Sequence, residues 1–462
     1  MLNKYAAMTG AEVKAVEWLG NEFPVIDFIN QVDDATSVIA IVSPNNPTGQ
    51  VIGEPELSAI AETFPNRLVL LDQAYAEFEN DAEKLTNIAL SKYPNVVVIR
   101  SLSKAWGLAG IRVGYALGSS DVITNLRKVG GPYTVPQISL AIAEAALQQR
   151  PNQSIAKIRK ERVQLAQLLD ECGCKTISSQ ANFVLAIFDE SPFDAGFVFR
   201  SLSAQGILVR MFEDLNALRI TCPGDESAFK SLCATLRRIL CPEAILFDMD
   251  GVLVDEGPSY RESIRQTCKF FGESFTSDEI ADLKLCGDAN NDWIFTHRIL
   301  TQRGCKLEYE DVKSRFELFL QGDEHTPGLW NREIQLVNTG WLKSIAARYP
   351  LGIVTGRPRN DAIRFLKNAG IDELFSAIVC MEDGPRKPNP SNVRTAMRQL
   401  RVDSAWMIGD TPDDINAAHA AGIASVGIAA PQDDSVLATR RLLEAGASTV
   451  VANLQQLGEV LP

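Results

Sequence analysis

Along the first 240 residues, short runs of β-branched and aliphatic side chains alternate with stretches whose apolar residues recur every three or four positions. "VIAIVS" (38–43), "RLVLLD" (67–72), "NVVVIRS" (95–101) and "RVGYALG" (112–118) predict strands, and "EPELSAIAETF" predicts a helix between the first two. From 136 the pattern turns helical, first in "PQISLAIAEAALQQ" and then in "SIAKIRKERVQLAQLLDEC". Strands return at 182–188, 206–212 and 217–222, and the helix "DESAFKSLCATLRRIL" closes the region. A strand at 244–249 then opens a second half, which is helical alone over 258–348. One of those helices begins on a capping-box-like "TSDE", with Thr276 and Glu279 three apart. Strand–helix alternation resumes with strands at 351–356, 377–381, 405–410 and 424–429. This pattern predicts α/β architecture with mainly parallel sheets. The helical insert after the first strand predicts a cap over the strands' C-terminal edge, where open α/β sheets bind ligands.

Composition narrows the picture. The chain of 462 residues has room for two or three domains. Its 58 acidic and 45 basic residues give a net charge of −13, which argues against a nucleic-acid partner. No apolar run reaches the roughly 18 residues of a membrane span, and "MLNKYAAMTGAEVKAV" has no apolar core of a secretory signal. A cytoplasmic protein without a membrane partner is expected. Nine scattered cysteines predict inert thiols in a reducing compartment, and three distant histidines match no metal or triad spacing.

Candidate chemistry is densest at "FDMDGVLVD". The strand delivers Asp248 to its C-terminal end, Asp250 follows two residues later, and Gly251 permits the tight turn out of the sheet. Two carboxylates so close repel unless a cation or proton separates them, and Mg²⁺, a hard cation with oxygen ligands, is the natural partner. Downstream lie Thr355 in "IVTGRP", Lys387 in "RKPNP", and Asp410, Asp413 and Asp414 in "GDTPDD". In this order the four signals resemble the haloacid dehalogenase-like (HAD) hydrolases with a small cap. The resemblance implies that Asp248 is the nucleophile on phosphorus and Asp250 the acid, then base, whose backbone carbonyl also binds Mg²⁺. It further implies that Thr355 and Lys387 hold the phosphoryl group, that Asp410 ligates Mg²⁺, and that Asp414 is a ligand or stands behind one.

The first half carries "SPNNPTG" (43–49), "LLDQAYAEF" (70–78) and "RSLSKAWGLAGIRVG" (100–114), each with polar groups at a predicted strand end. A lysine amine, a carboxylate in an apolar run, and hydroxyl and guanidinium groups are what a pyridoxal 5'-phosphate (PLP) site requires. These stretches resemble fold-type I aminotransferases, and within them histidinol-phosphate aminotransferase. The resemblance implies that Lys104 is the Schiff-base lysine and that Asp72 faces the pyridinium. Asn46 and Tyr75 would meet the ring oxygen, with Ser101, Ser103 and Arg112 on the cofactor phosphate. Arg219 would bind the substrate anion, with Arg210 as its companion. The resemblance begins inside the family's large domain, and the segment that in the family supplies a phosphate-gripping glycine loop and a ring-stacking aromatic residue would precede the position of Met1; either the protein starts upstream or transamination is lost.

The expected fold is therefore α/β: a truncated PLP-dependent transferase of fold type I, followed by a HAD-like Rossmannoid domain with a helical cap. The domains are expected at 1–145 (partial large domain), 146–240 (small domain) and 243–462 (HAD-like, cap about 258–345). The expected function is bifunctional: a PLP aminotransferase of histidine biosynthesis joined to a Mg²⁺ phosphatase for a small phosphomonoester such as histidinol phosphate. Its partners would be small molecules, an amino donor with a keto acceptor and a phosphomonoester, and it would pair as a homodimer through the aminotransferase half. The competing expectation is a phosphatase of phosphoglycolate or sugar phosphates, carrying a non-catalytic aminotransferase scaffold.

Overall fold

In the computed structural model, residues 2–20, 22–81, 83–287 and 291–462 are described. They form two compact units: Met1–Ile187 with Ala217–Lys230, and Phe188–Asn216 with Ser231–Pro462.

The first unit is built on a four-stranded sheet in the order Val38–Val42, Leu68–Asp72, Val96–Ser101, Gly114–Leu117. The first three strands are parallel and the last is antiparallel. Alternating burial along Leu68–Asp72 places Val69 and Leu71 in a core with Ile39, Ile41, Val96 and Val98. Leu57 and Ile60 of the helix Glu54–Thr63 and Leu85 and Ala89 of Lys84–Lys92 close that core. The first of these helices starts where it does because the Gly53 N–H donates to the Glu56 carboxylate at 2.9 Å and Pro55 occupies the first turn. A separate antiparallel array joins Lys175–Ile177, Phe183–Ile187 and Ala217–Thr221.

The second unit holds a six-stranded parallel sheet ordered Phe375–Val379, Leu351–Val354, Ile245–Phe247, Trp406–Gly409, Ala424–Ile428, Thr449–Val451. The central strands are buried on both faces, as parallel strands between helices must be. The insert between the first and second of them has its own core, including Tyr260, Ile264, Phe295, Ile299, Phe316 and Leu320. The capping box at Thr276 is formed, its hydroxyl accepting from the Glu279 N–H at 3.1 Å. The insert is not helical throughout: Ile334–Gln335 pairs antiparallel with Val254–Asp255.

Residues 188–216 and 231–240 also contribute to the second unit. Phe193 and Phe197 pack on Trp406, with ring centroids 6.2 and 4.7 Å away, and the Trp406 indole N–H donates to the Ile239 carbonyl at 2.9 Å. Ser201 donates to the Ser448 hydroxyl at 2.6 Å, and Arg200 Nε to its carbonyl at 2.6 Å.

Burial pushes the thiols of Cys268 and Cys380 up to about 12 and about 11. Among the described residues no helix is long and apolar enough to cross a membrane.

Candidate active sites

Three adjacent parallel strands deliver the chemistry of the second unit to one sheet edge. Ile245–Phe247 runs out into Asp248, whose N–H donates to the Ile408 carbonyl at 2.9 Å. Trp406–Gly409 ends at Asp410, and Leu351–Val354 ends at Thr355. Lys387 reaches the same place from beyond Phe375–Val379 and is buried. Its ammonium lies 2.9 Å from Asp248 Oδ2 and 2.5 Å from Asp414 Oδ1, and donates to the Val354 carbonyl at 3.1 Å.

Carboxylate oxygens of Asp248, Asp410 and Asp414 lie within 4.8 Å of one another, all buried. Asp414 Oδ1 forms an ion pair with Lys387, and Oδ2 accepts from the Thr411 N–H at 3.0 Å and hydroxyl at 2.6 Å. Asp410 Oδ1 is buried with no hydrogen-bond donor. Burial holds the Asp410 carboxyl well above the usual range, and Asp414 and Asp248 reinforce it. Burial also raises Asp248, against the pull of the Lys387 ammonium. Gly251 has φ 68°, and a Cβ there would come within 2.2 Å of Asp410 Oδ2. Any side chain at 251 would displace that carboxylate. An orphaned carboxylate oxygen beside another acid is a donor set that fits Mg²⁺.

Asp250 stands apart from this cluster. Its Oδ1 accepts from Arg357 Nε at 2.8 Å and Nη2 at 2.5 Å. Arg357 also meets Glu333 at 2.8 Å and lies over the Tyr260 ring at 4.5 Å. The Tyr260 hydroxyl donates to Asp361 at 2.9 Å. Nearby, Lys284 contacts Asp292 at 3.0 Å and Glu256 at 3.5 Å, and Glu256 also holds Arg261 at 2.7 Å. Of these groups Arg357, Tyr260, Lys284 and Asp292 line the wall of a cavity that Asp248, Asp250 and Asp410 floor. None of Arg357, Glu333, Lys284 or Asp292 was singled out from the sequence. Arg357 lies inside the quoted "TGRP", but its partner Asp250 is 107 residues away.

The first unit presents a more open site. Asp72 and Ser101 end the strands Leu68–Asp72 and Val96–Ser101, and the Ser43 N–H that follows Val38–Val42 donates to the Asp72 carbonyl at 2.9 Å. The "SPNNPTG" segment folds on itself, with the Gly49 N–H donating to the Asn45 carbonyl at 2.7 Å, which leaves Asn46 exposed. One Asp72 oxygen accepts from the Ala74 N–H at 3.0 Å, and burial raises its carboxyl above the usual range. Lys104 is exposed, its ammonium 5.4 Å from the centre of the Tyr75 ring. Tyr75 packs edge-on against Phe183 at 5.2 Å, and Arg219 lies over the other ring of that pair at 4.9 Å. Arg219 Nη1 then donates to Asn46 Oδ1 at 2.6 Å. Lys104, Tyr75, Arg219 and Asn46 are thus linked by contacts running through Phe183.

Other expected residues are placed differently. The Ser103 N–H donates to the Ser101 hydroxyl at 3.1 Å, and exposed Arg112, at φ 58°, donates to the Ala109 carbonyl at 3.2 Å. Arg210 belongs to the second unit, where it is exposed and lies over Phe212 at 5.4 Å. An amine, a strand-end carboxylate, a phenol and an amide on one sheet edge are a donor set that fits PLP.

A model of the aminotransferase class I and II family matches residues 1–236, and one of haloacid dehalogenase-like hydrolases matches 242–422. Imidazoleglycerol-phosphate dehydratase of Phytophthora nicotianae is 39% identical over 224 residues, 47% of this chain and 49% of that protein. Histidinol-phosphate aminotransferase of Paracoccus denitrificans is 34% identical over 216 residues, 45% of this chain and 58% of its own. The chain thus spans about half the length of these relatives. A haloacid dehalogenase-like protein of unknown function from Agrobacterium tumefaciens superposes with a TM-score of 0.39 at 21% identity, covering 47% of this chain and 96% of its own. With a family match across its first half, the chain belongs to the class I and II aminotransferases and carries a haloacid dehalogenase-like hydrolase region behind it.

Proposed function

We propose that the chain is a bifunctional enzyme: a PLP aminotransferase of the histidinol-phosphate type joined to a Mg²⁺-dependent phosphatase of a small phosphomonoester. The observation that carries the phosphatase reading is the convergence of Asp248, Thr355, Lys387 and Asp410 at neighbouring strand ends, with the buried Asp410 Oδ1 left without a donor. Mg²⁺ held by Asp248, Asp410 and the Asp250 carbonyl would supply positive charge to the phosphoryl oxygens. Lys387 opposes the rise that burial imposes on Asp248, and bound Mg²⁺ would oppose it further, so that a carboxylate oxygen of Asp248 can attack phosphorus while the bond to the leaving oxygen breaks. Thr355 and Lys387 hold the phosphoryl oxygens in line. Asp250 gives a proton to the leaving alkoxide and later takes one from the water that hydrolyses the aspartyl-phosphate.

In the first unit, PLP would supply an electron sink for transamination. Lys104 would bind it covalently and move protons at the substrate carbon, Asp72 would keep the ring nitrogen protonated, and Asn46 with Tyr75 would fix the ring oxygen. Ser101, Ser103 and Arg112 would bind its phosphate. Arg219 would bind the substrate's anion, with Arg210 as its proposed companion. The histidinol-phosphate aminotransferases among the relatives support that substrate type. Its product is a phosphomonoester, which the second unit could hydrolyse, and fusion would raise the product's effective concentration there. Exposed Val129, Tyr133 and Ile138 support a homodimer through the first unit.

Two readouts on the whole chain test the reading. PLP should give a visible absorbance band that Lys104→Ala removes, and Mg²⁺ should support phosphate release from histidinol phosphate that Asp248→Asn removes. A band that survives Lys104→Ala, or turnover that survives Asp248→Asn, rejects the corresponding half.

A further inference from the structure

The cavity above Asp248 is lined by two cations outside the phosphoryl-binding floor, Arg357 and Lys284. Both are already committed. Arg357 is shared between Asp250 at 2.5 Å and Glu333 at 2.8 Å, and its side chain is only 1% exposed. Lys284 is shared between Asp292 at 3.0 Å and Glu256 at 3.5 Å. Glu256 is itself bridged to Arg261, and Arg261 to Asp433, so no surplus positive charge lies one layer deeper in this network. The rest of the wall is neutral: Tyr260, Asn291, Trp293, Pro358 and Met381. The buried Trp293 indole N–H has no acceptor.

Resting on the phosphatase reading, we propose that this cavity selects phosphomonoesters whose alcohol carries no second anion. An incoming carboxylate or second phosphate would have to strip Arg357 or Lys284 from buried carboxylates, or face those carboxylates directly. Removing one partner of a buried ion pair leaves the other charge uncompensated in a poorly solvated place. A hydroxyl or an amine meets no such obstacle, because Asn291 and the Trp293 N–H are neutral and Asp292 borders the space. Arg357 and Lys284 act here as structural countercharges to the cavity's acids.

The test compares kcat/KM of the Mg²⁺-loaded whole chain for glycerol 3-phosphate, phosphoethanolamine and phosphoglycolate, which are similar in size and differ in leaving-group charge. The first two should exceed phosphoglycolate by at least about tenfold, the scale of like charges opposed in a desolvated site. Glu333→Gln frees one side of Arg357 and should move the phosphoglycolate-to-glycerol-phosphate ratio about tenfold toward phosphoglycolate. If that variant does not fold, Asp292→Asn frees Lys284 and tests the same ratio. Phosphoglycolate turned over as well as the other two by the wild type, or a ratio that neither variant moves, overturns the proposal. Phosphate release from none of these esters nor from p-nitrophenyl phosphate would instead reject the phosphatase reading beneath it.

Discussion

The two candidate lysines sit in opposite surroundings. Lys387 is buried, between two carboxylates and a carbonyl, whereas Lys104 is exposed beside the face of Tyr75. In the hydrolase-like site Lys387, Asp248 and Asp414 are held by opposite charges, and their geometry is part of the folding energy. In the aminotransferase-like site the candidate amine of Lys104 has no acid paired with it among the described residues, so binding there is paid by the ligand rather than by the fold. Burial raises Asp72 as it raises Asp248, and at Asp248 the Lys387 ammonium opposes the shift.

Truncating each lysine is the strongest way to break this contrast. Lys387→Ala leaves Asp248 and Asp414 facing each other without a cation and should cost about 3–5 kcal/mol in urea unfolding, along with phosphatase activity. Lys104→Ala should stay within about 0.5 kcal/mol of the wild type in the same measurement, since an exposed side chain without an ion pair is removed. Equal losses would erase the distinction.

Trp406→Ala should follow closely, destabilising the second unit by about 3–4 kcal/mol, because it empties a site filled against Phe193 and Phe197 and orphans the Ile239 carbonyl. Denaturant unfolding followed by circular dichroism reads this directly.

A smaller effect depends on pH. Glu79 of the first unit is buried, one of its oxygens lacks a partner, and burial raises its carboxyl from 4.5 to about 8, with Arg100 opposing. An acid whose folded value is raised contributes stability that is complete below its unfolded value and lost as pH climbs through the folded one. The first unit should therefore weaken between about pH 4.5 and 8, and Glu79→Gln should recover on the order of 2 kcal/mol at high pH. A stability profile unchanged by that substitution would show that Glu79 is already ionised in the fold. Smallest is Thr276→Ala, which removes a helix cap and should cost about 1 kcal/mol in the cap.

The parts of the sites that were legible share one property: each residue ends a strand, so a local apolar run followed by a polar residue locates it. Asp248, Thr355 and Asp410 are of this kind, and the parallel order of their strands brings them together. Arg357, Glu333, Lys284 and Asp292 have no such signal, because their pairing depends on how the insert folds over the sheet. Ile334–Gln335 escaped detection because two residues cannot display a period of two. Lys175–Ile177 and Thr449–Val451, at three residues, are nearly as silent. In the first unit, Asp72 was visible as an acid closing "LVLL", but the route from Lys104 through Tyr75 and Phe183 to Arg219 crosses more than a hundred residues of sequence.

Trp406 also bears on how this chain can change over time. A tryptophan on the hydrolase sheet is enclosed by phenylalanines at 193 and 197, encoded before the aminotransferase-matching region ends. Substitutions on either side of Cys241 are therefore not independent: a change in ring size at 197 alters which residue is tolerated at 406. A recombination breakpoint between the two matched regions would pass through neither core in sequence, yet would pair a hydrolase with a stranger's helix. The joint that looks like the natural place to exchange modules is the place where exchange would be penalised.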